Sequence, residues 1–374
     1  MVRACEVALA AGGTAGHINP ALALADELSR RGHHVTFFGQ TRRLEGTLVP
    51  SAGYDFVNIQ VTGFDRARPW TLATALWHMH QAKVELDRVF AERGRPDVAC
   101  GFGAYVEMPL LEWCRKNQVP YLIHEQNSVP GLANKTCAKG AATVCVSMPG
   151  ARPAFEGHMG EGRLTVTGNP VRRQVVEASR EAGRASFGIA EHETMLLVFG
   201  GSLGARHVND AIAAMKAELI ARPDLRIVHS CGKELFDEVV AELALSEEEA
   251  RRWQVAPYIN NMGEALAAAD VVVSRAGASS IAEIAALSVP SVLVPYPLAT
   301  ADHQTTNARY LTDAGGAILV PDDELDTPAF RDAVLGLVDD ADRRRQMREA
   351  LLAMEQAHAA EALADEVERV IAQG

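Results

Sequence analysis

Three segments bring small residues, hydroxyls and an imidazole together in a pattern suited to holding an anion. Gly12-Gly13-Thr14-Ala15-Gly16-His17, Gly200-Gly201-Ser202-Leu203-Gly204-Ala205 and Arg275-Ala276-Gly277-Ala278-Ser279-Ser280 each follow a short apolar run and lead into a helical pattern. A turn of this kind aims backbone N–H groups and the positive end of a helix at one spot, where a phosphate or a sugar hydroxyl can settle. Tight packing of a helix on a strand asks for the same glycines, so convergence of three turns says more than any one. None matches the G-x-G-x-x-G of dinucleotide sites, and no P-loop G-K-[ST] occurs.

His17 closes the first turn, where an imidazole can reach a crevice and exchange protons near neutral pH; a structural role for a lone histidine is the competing reading. In the third segment Ala278, Ser279 and Ser280 can offer amides and hydroxyls to a diphosphate. Glu283, about one turn further on, can accept hydrogen bonds from a ribose or serve as the capping partner of the serines. The runs His124-Glu125-Gln126-Asn127 and Asp302-His303-Gln304 lie just past strand ends, where polar side chains more often serve function than architecture. No H-E-x-x-H or paired-ligand spacing occurs, and no metal is expected.

The elements that position these residues repeat. VALAA (7–11), glycine turn, helix, then HVTFFG (34–39) returns as MLLVFG (195–200), glycine turn, helix, then LRIVHS (225–230). A second echo pairs residues 96–127 with 269–297, matching Asp97 to Asp270 and Pro120 to Pro290. Strand, turn, helix, strand is the unit of a parallel sheet. The expected fold is α/β, with two Rossmann-like domains facing each other across a cleft. The first domain is read as residues 1–170 and the second as 171–354, joined at Gly168-Asn169-Pro170. A helix over about 355–374 is expected to pack back on the first domain.

Composition is that of an ordinary globular chain: 374 residues, 48% apolar and 22% charged, with net charge -12. Residues 1–170 hold 17 Lys and Arg against 15 Asp and Glu, a charge of +2, leaving -14 on the rest. The first half is therefore the one expected to face something anionic. Six scattered cysteines without a C-x-x-C pair read as buried thiols. The N-terminal run lacks a signal-peptide cleavage pattern, and no stretch reaches the roughly 20 apolar residues that span a bilayer.

Taken together, GGTAGHINPALALADEL, GFGAY, HEQNSVPGLANK, GNPVR, GGSLGA, RAGASSIAE and DHQTTNA, spread over about residues 7–320, closely resemble the MurG family. The resemblance implies the GT-B fold and inverting transfer of N-acetylglucosamine from UDP-GlcNAc to the C4 hydroxyl of MurNAc in lipid I, forming lipid II. It also implies no cofactor, no nucleic acid, a peripheral place on the cytoplasmic face of the cell membrane, and contacts with other cell-wall synthesis proteins. His17 becomes the candidate base. Thr14, Ala15, Gly16, Asn127, Arg172, Ser202, Ile259, Ala278, Ser279, Ser280, Ile281, Ala282, Glu283, His303 and Gln304 fall on the UDP-GlcNAc side. Tyr105, His124, Glu125 and Asn134 fall on the acceptor side. The sequence departs from the family at Ala15 and Ala104, where glycine is usual, and a methyl is permitted there only if the backbone needs neither a positive φ nor a very close approach. Rival readings are another GT-B enzyme using UDP-GlcNAc (a 2-epimerase, or a transferase to a different lipid) and a non-catalytic UDP-GlcNAc binder.

A lipid-linked acceptor requires docking on an anionic membrane surface, expected through the helix near residues 70–90. Leu72, Leu76, Met79, Leu86 and Phe90 share the spacing of a core stripe. Trp70 and Trp77 form another stripe, with Arg66, Arg68, Lys83 and Arg88 nearby, unless both indoles pack under a loop.

Overall fold

The computed structural model describes residues 3–63, 70–160, 162–201 and 204–373, without the side chains of Thr71 and Leu72. Arg66, Arg68 and Ser202 therefore lie outside the described residues. The chain forms two compact units, Met1–Arg172 together with His358–Gly374, and Arg173–Ala357.

The first unit is built on seven parallel strands: β1 (Glu6–Ala10), β2 (His34–Gly39), β3 (Asp55–Asn58), β4 (Val98–Gly101), β5 (Tyr121–Glu125), β6 (Thr143–Val146) and β7 (Arg163–Val166). Their order is β3-β2-β1-β4-β5-β6-β7. The central strands are apolar almost throughout because both faces are covered. Val7 and Leu9 pack with Val98 and Cys100 under α1 (Ala15–Arg30) and the C-terminal helix Ala359–Gln373. Ala8, Ala10 and Ala99 face the other way. They lie under α3 (Thr71–Arg93) and α4 (Glu107–Lys116), while α2 (Glu45–Ser51) follows β2.

The C-terminal helix belongs to this unit by its own side chains. It buries Leu363, Ala364, Val367 and Val370 in the α1 core, and a fully buried Leu or Val contributes about 1.5–3 kcal/mol. Arg31 adds ion pairs to Asp365 (2.6 Å) and Glu368 (2.8 Å).

In α3 the core stripe differs from the one read in the sequence. His78, Ala82, Leu86, Val89 and Phe90 are buried, whereas Leu76 is 61% exposed and Met79 half-buried. Angle explains the difference. At about 100° per residue, Met79 lies about 60° and Leu76 about 120° around the helix from Ala82, so both fall to one side of the buried stripe formed by His78, Ala82, Leu86 and Val89.

The second unit repeats the plan with β8 (Thr194–Phe199), β9 (Leu225–Ser230), β10 (Trp253–Ala256), β11 (Val271–Arg275), β12 (Ser291–Val294) and β13 (Ala317–Leu319), in the order β10-β9-β8-β11-β12-β13. The residues matched in sequence do the same work in both. Asp97 N–H donates to the Glu6 carbonyl, and its carboxylate accepts from Glu6 N–H, each at 2.8 Å. Asp270 treats Met195 alike, at 2.9 and 2.8 Å. The carbonyls of Pro120 and Pro290 accept from Ala99 and Val272 at 3.1 and 3.0 Å. All six cysteines are buried and unpaired. Among the described residues, no helix is long and apolar enough to cross a membrane.

Candidate active site

In an open parallel sheet the loops leave in opposite directions where strand order reverses, and a crevice opens outside the carboxyl ends at that point. In the first unit this point lies between β1 and β4. The turn after β1 carries Gly12 to His17, and the turn after β4 carries Gly103 to Tyr105.

Thr14 is the N-cap of α1, and Ala15 and Gly16 form its first turn, so the helix begins with small residues. His17 sits in the same turn, half-buried. Its Nδ1 is 3.1 Å from the Gly12 carbonyl and 3.2 Å from Thr14 Oγ1. A carbonyl can only accept, so Nδ1 carries the proton and Nε2 of the neutral ring keeps its lone pair. Burial pulls the His17 pKa below the ordinary value, opposed by the charges of Glu125 and Glu45 and by the bond to Gly12. At neutral pH the ring is therefore the free base.

The second wall comes from the β4 turn. A Cβ on Gly103 would stand 3.3 Å from His17 Cδ2 and 3.4 Å from Nε2, which makes this glycine a close neighbour of the imidazole. Gly103 N–H donates to Glu107 Oε2 at 2.6 Å. Burial pushes the Glu107 carboxyl up to about 8.

The two departures from the family pattern have different consequences. Ala15 is a helical residue with negative φ and carries its methyl without strain. Ala104 has φ of +65°, a left-handed conformation that costs a residue with a Cβ about 1–2 kcal/mol. Ala104→Gly should therefore stabilise the first unit by about 1 kcal/mol, a little less than the strain because glycine gains freedom in the unfolded chain. Urea unfolding measures this, and an unchanged or lower midpoint would contradict it.

The third wall is the His124–Asn127 run. Glu125 Oε1 accepts from Asn127 N–H (3.0 Å), and Oε2 accepts from Gly131 N–H (3.0 Å) and Asn134 Nδ2 (2.9 Å). His124 Nε2 donates to the Gly168 carbonyl (3.0 Å), and Nδ1 accepts from Gln126 Nε2 (3.2 Å). Burial holds His124 down at about 4. His124, Glu125 and Asn134 are thus buried and shape the loop, leaving Asn127 half-buried and Tyr105 exposed as the side chains nearer solvent. Arg172 is not brought to these turns. Its Nε donates to Asp26 at 3.3 Å, nine residues along α1 from His17, or about 14 Å.

In the second unit the switch point lies between β8 and β11. After β11 the helix Ala278–Ala286 opens with Gly277 as its N-cap and no side-chain cap. Ser280 is thus the third helical residue and Glu283 lies beyond capping reach, which removes the capping-box reading of Glu283. Burial raises its carboxyl to about 7. Ser279 Oγ is buried without a hydrogen-bond partner. Ala278, Ile281 and Ala282 have buried side chains, so a ligand would meet them through their backbone. Ile259 is likewise buried, in the loop after β10, with Tyr258 exposed beside it.

The Asp302-His303-Gln304 run begins the helix His303–Thr312. His303 Nδ1 donates to the Thr300 carbonyl (2.8 Å), and Gln304 Oε1 accepts from Tyr296 N–H (3.0 Å). Asn307 of that helix donates to the Ala276 carbonyl at 3.3 Å, tying it to the turn after β11. No group of three or more His, Cys, Asp or Glu is placed to hold a metal among the described residues.

Sequence reasoning passed over Glu45 and Glu107, the carboxyls that grip the first two glycine turns. The available signal was one charge inside the apolar run YVEMPLL, and another just past a strand end.

Residues 7–146 match the glycosyltransferase family 28 N-terminal domain, and residues 195–366 match the family 28 C-terminal domain. Two relatives are named UDP-N-acetylglucosamine--N-acetylmuramyl-(pentapeptide) pyrophosphoryl-undecaprenol N-acetylglucosamine transferase. That of Halothermothrix orenii is 35% identical over 91% of this chain and 92% of its own. That of Desulforudis audaxviator is 36% identical over 99% of both chains. The crystal structure of Acinetobacter baumannii MurG aligns with a TM-score of 0.75 and 27% identity, covering 98% of this chain and 99% of that one. The calicheamicin glycosyltransferase CalG4, at 17% identity and a TM-score of 0.69 over 100% of this chain and 99% of its own, shares the fold. With matched domains at both ends and relatives of this identity along nearly its whole length, the chain belongs to the MurG family of family 28 glycosyltransferases.

Proposed function

We propose that this chain transfers N-acetylglucosamine from UDP-GlcNAc to the C4 hydroxyl of MurNAc in lipid I, giving lipid II with inversion at the anomeric carbon. The observation that carries the chemistry is the orientation of His17, with Nδ1–H tied to Gly12 and Nε2 left as a lone pair. His17 takes the proton of the C4 hydroxyl as its oxygen bonds to C1 of GlcNAc. The bond from C1 to the diphosphate breaks, and UDP leaves carrying the electron pair. The first domain holds the acceptor, with Tyr105 and the loop shaped by His124, Glu125 and Asn134; Thr14, Ala15, Gly16 and Asn127 lie toward the sugar.

The second domain holds the nucleotide. Amides at the start of the helix Ala278–Ala286 meet the charge that develops on the diphosphate, and Ser279 Oγ is a donor in want of an acceptor. Glu283 takes the ribose, Ile259 the uracil, and His303 with Gln304 the GlcNAc hydroxyls; Ser202 is assigned from the sequence alone. To reach the diphosphate, Arg172 must exchange Asp26 for it. The test is UDP release with and without a lipid I analogue. Release that needs the acceptor is expected, while turnover of UDP-GlcNAc alone would point to an epimerase and binding without turnover to a non-catalytic role.

The membrane surface follows from α3. Trp70, Leu76, Trp77 and Val84 are 72%, 61%, 55% and 55% exposed, an apolar patch wider than the two tryptophans read in the sequence. Lys83 faces Glu112 (3.8 Å) and Arg88 is held by Glu85 and Glu92, so the described part of the surface offers mainly its apolar side chains; Arg66 and Arg68 are assigned to anionic lipid from the sequence alone. Replacing Trp70 and Trp77 together by Ser should weaken sedimentation with anionic vesicles tenfold or more. Losing about 60 Å² of buried area from each indole corresponds to about 1.5 kcal/mol apiece. Activity on a soluble acceptor analogue should persist. Undiminished vesicle binding, also insensitive to salt, would rule this surface out.

A further inference from the structure

We infer that Glu45 is a positioning residue for His17, acting through a single peptide group; the inference rests on the reading of His17 as the base. Glu45 is fully buried at the start of α2, 28 residues beyond His17 in sequence. Its Oε2 accepts from Gly13 N–H at 3.0 Å, and its Oε1 accepts from Gln40 N–H at 3.2 Å. The Gly13 N–H and the Gly12 carbonyl are two ends of one planar peptide. At the far end, the Gly12 carbonyl accepts from His17 Nδ1–H at 3.1 Å. Carboxylate, peptide and imidazole therefore form one chain of hydrogen bonds.

Such a chain is polarised along its length. A carboxylate on the N–H shifts electron density toward the carbonyl oxygen, which strengthens the next bond. The consequence at His17 is threefold. The ring is held in one orientation, the proton is kept on Nδ1, and Nε2 is made more basic than burial alone would leave it. A carboxylate does this directly in a Ser-His-Asp triad, where loss of its charge leaves the geometry but sets the wrong tautomer. Here a peptide is interposed.

The surrounding sequence makes room for the arrangement. A Cβ on Gly12 would stand 2.6 Å from Glu45 Oε1, and one on Gly39 would stand 2.8 Å from Glu45 Cγ. Both strand-end glycines admit the carboxylate to the turn. Glu125 is the other carboxylate whose field acts on His17, and it does so from the β5 side with its own oxygens engaged by Asn127, Gly131 and Asn134. Glu45 differs in being hydrogen-bonded to the peptide that His17 itself grips.

The first test leaves Glu45 in place. In the wild-type protein with ring-¹⁵N histidine, His17 should titrate as the Nδ1–H tautomer, its signal assigned by its loss in His17→Ala; an Nε2–H tautomer would overturn the inference. The second uses Glu45→Gln, with folding checked by its melting curve. We expect kcat to fall roughly tenfold, within the range by which a general base assists, and the acid limb of kcat/KM to move to lower pH, with KM for UDP-GlcNAc unchanged. In the His17→Ala background, Glu45→Gln should add no further loss. Losses that multiply, or a folded Glu45→Gln with unchanged kcat and acid limb, would overturn the relay. Wild-type turnover in His17→Ala would instead remove the base assignment itself.

Discussion

Replacing His17 by alanine should lower turnover by roughly 100-fold or more, the scale on which a positioned base contributes, while UDP-GlcNAc affinity stays within about twofold. The nucleotide is assigned to helix starts of the second unit, and His17 lies in the first. The base needs an unprotonated Nε2, and two features supply it: the Gly12 carbonyl takes the Nδ1 proton, and burial lowers the pKa. The sign follows. As pH falls through this lowered pKa the ring gains a proton, so kcat/KM in the wild type should decline on an acid limb that His17→Ala lacks. Turnover assays and calorimetric titration with UDP-GlcNAc read both quantities. Wild-type turnover, or an acid limb that survives the substitution, would remove His17 from the reaction.

The largest stability effect is expected at Asp270. Its carboxylate pairs with Arg180 (2.6 Å) and Arg184 (3.1 Å) and accepts from Met195 N–H. Arg184 is 6% exposed, so Asp270→Ala leaves a buried guanidinium with no counter-charge there. Breaking one side of a buried pair costs about 3–5 kcal/mol. Asp97 occupies the matching place in the first unit, but its cationic neighbour Arg3 is 84% exposed at 3.7 Å. An exposed pair contributes little, and the remaining bond to Glu6 N–H is worth about 1 kcal/mol. Circular dichroism during urea unfolding reads both units, and the fluorescence of Trp253, fully buried and the tryptophan of residues 173–357, separates the second from the first. Equal losses for Asp97→Ala and Asp270→Ala would contradict this contrast.

That pair of aspartates illustrates what could be read before the structure. Their equivalence was visible because each opens the same strand, glycine, helix, proline, strand order, and the sheet gives both one hydrogen-bonding task. The glycine turns were visible for a related reason, since a chain leaving a buried strand for a helix has few residues that allow so sharp a path. What stayed hidden depends on contacts distant in sequence. Glu45 meets Gly13 across 32 residues, and Arg172 meets Asp26 across 146, distances at which residue type carries no signal. The capping reading of Glu283 failed because the helix begins at Gly277, one step that local sequence leaves open. Leu76 was misplaced because apolar spacing alone does not show that a histidine, His78, belongs to the buried stripe, which turns that stripe away from Leu76.

This chain is expected to join N-acetylglucosamine to the C4 oxygen of a lipid-linked MurNAc with inversion. The most direct measurement is NMR of the product isolated after incubation with UDP-GlcNAc and a lipid I analogue. One product is expected, a GlcNAc β-linked to C4 of MurNAc, formed with one equivalent of UDP. An α-linkage, a different attachment site, or an epimerised sugar nucleotide with the acceptor untouched would contradict it.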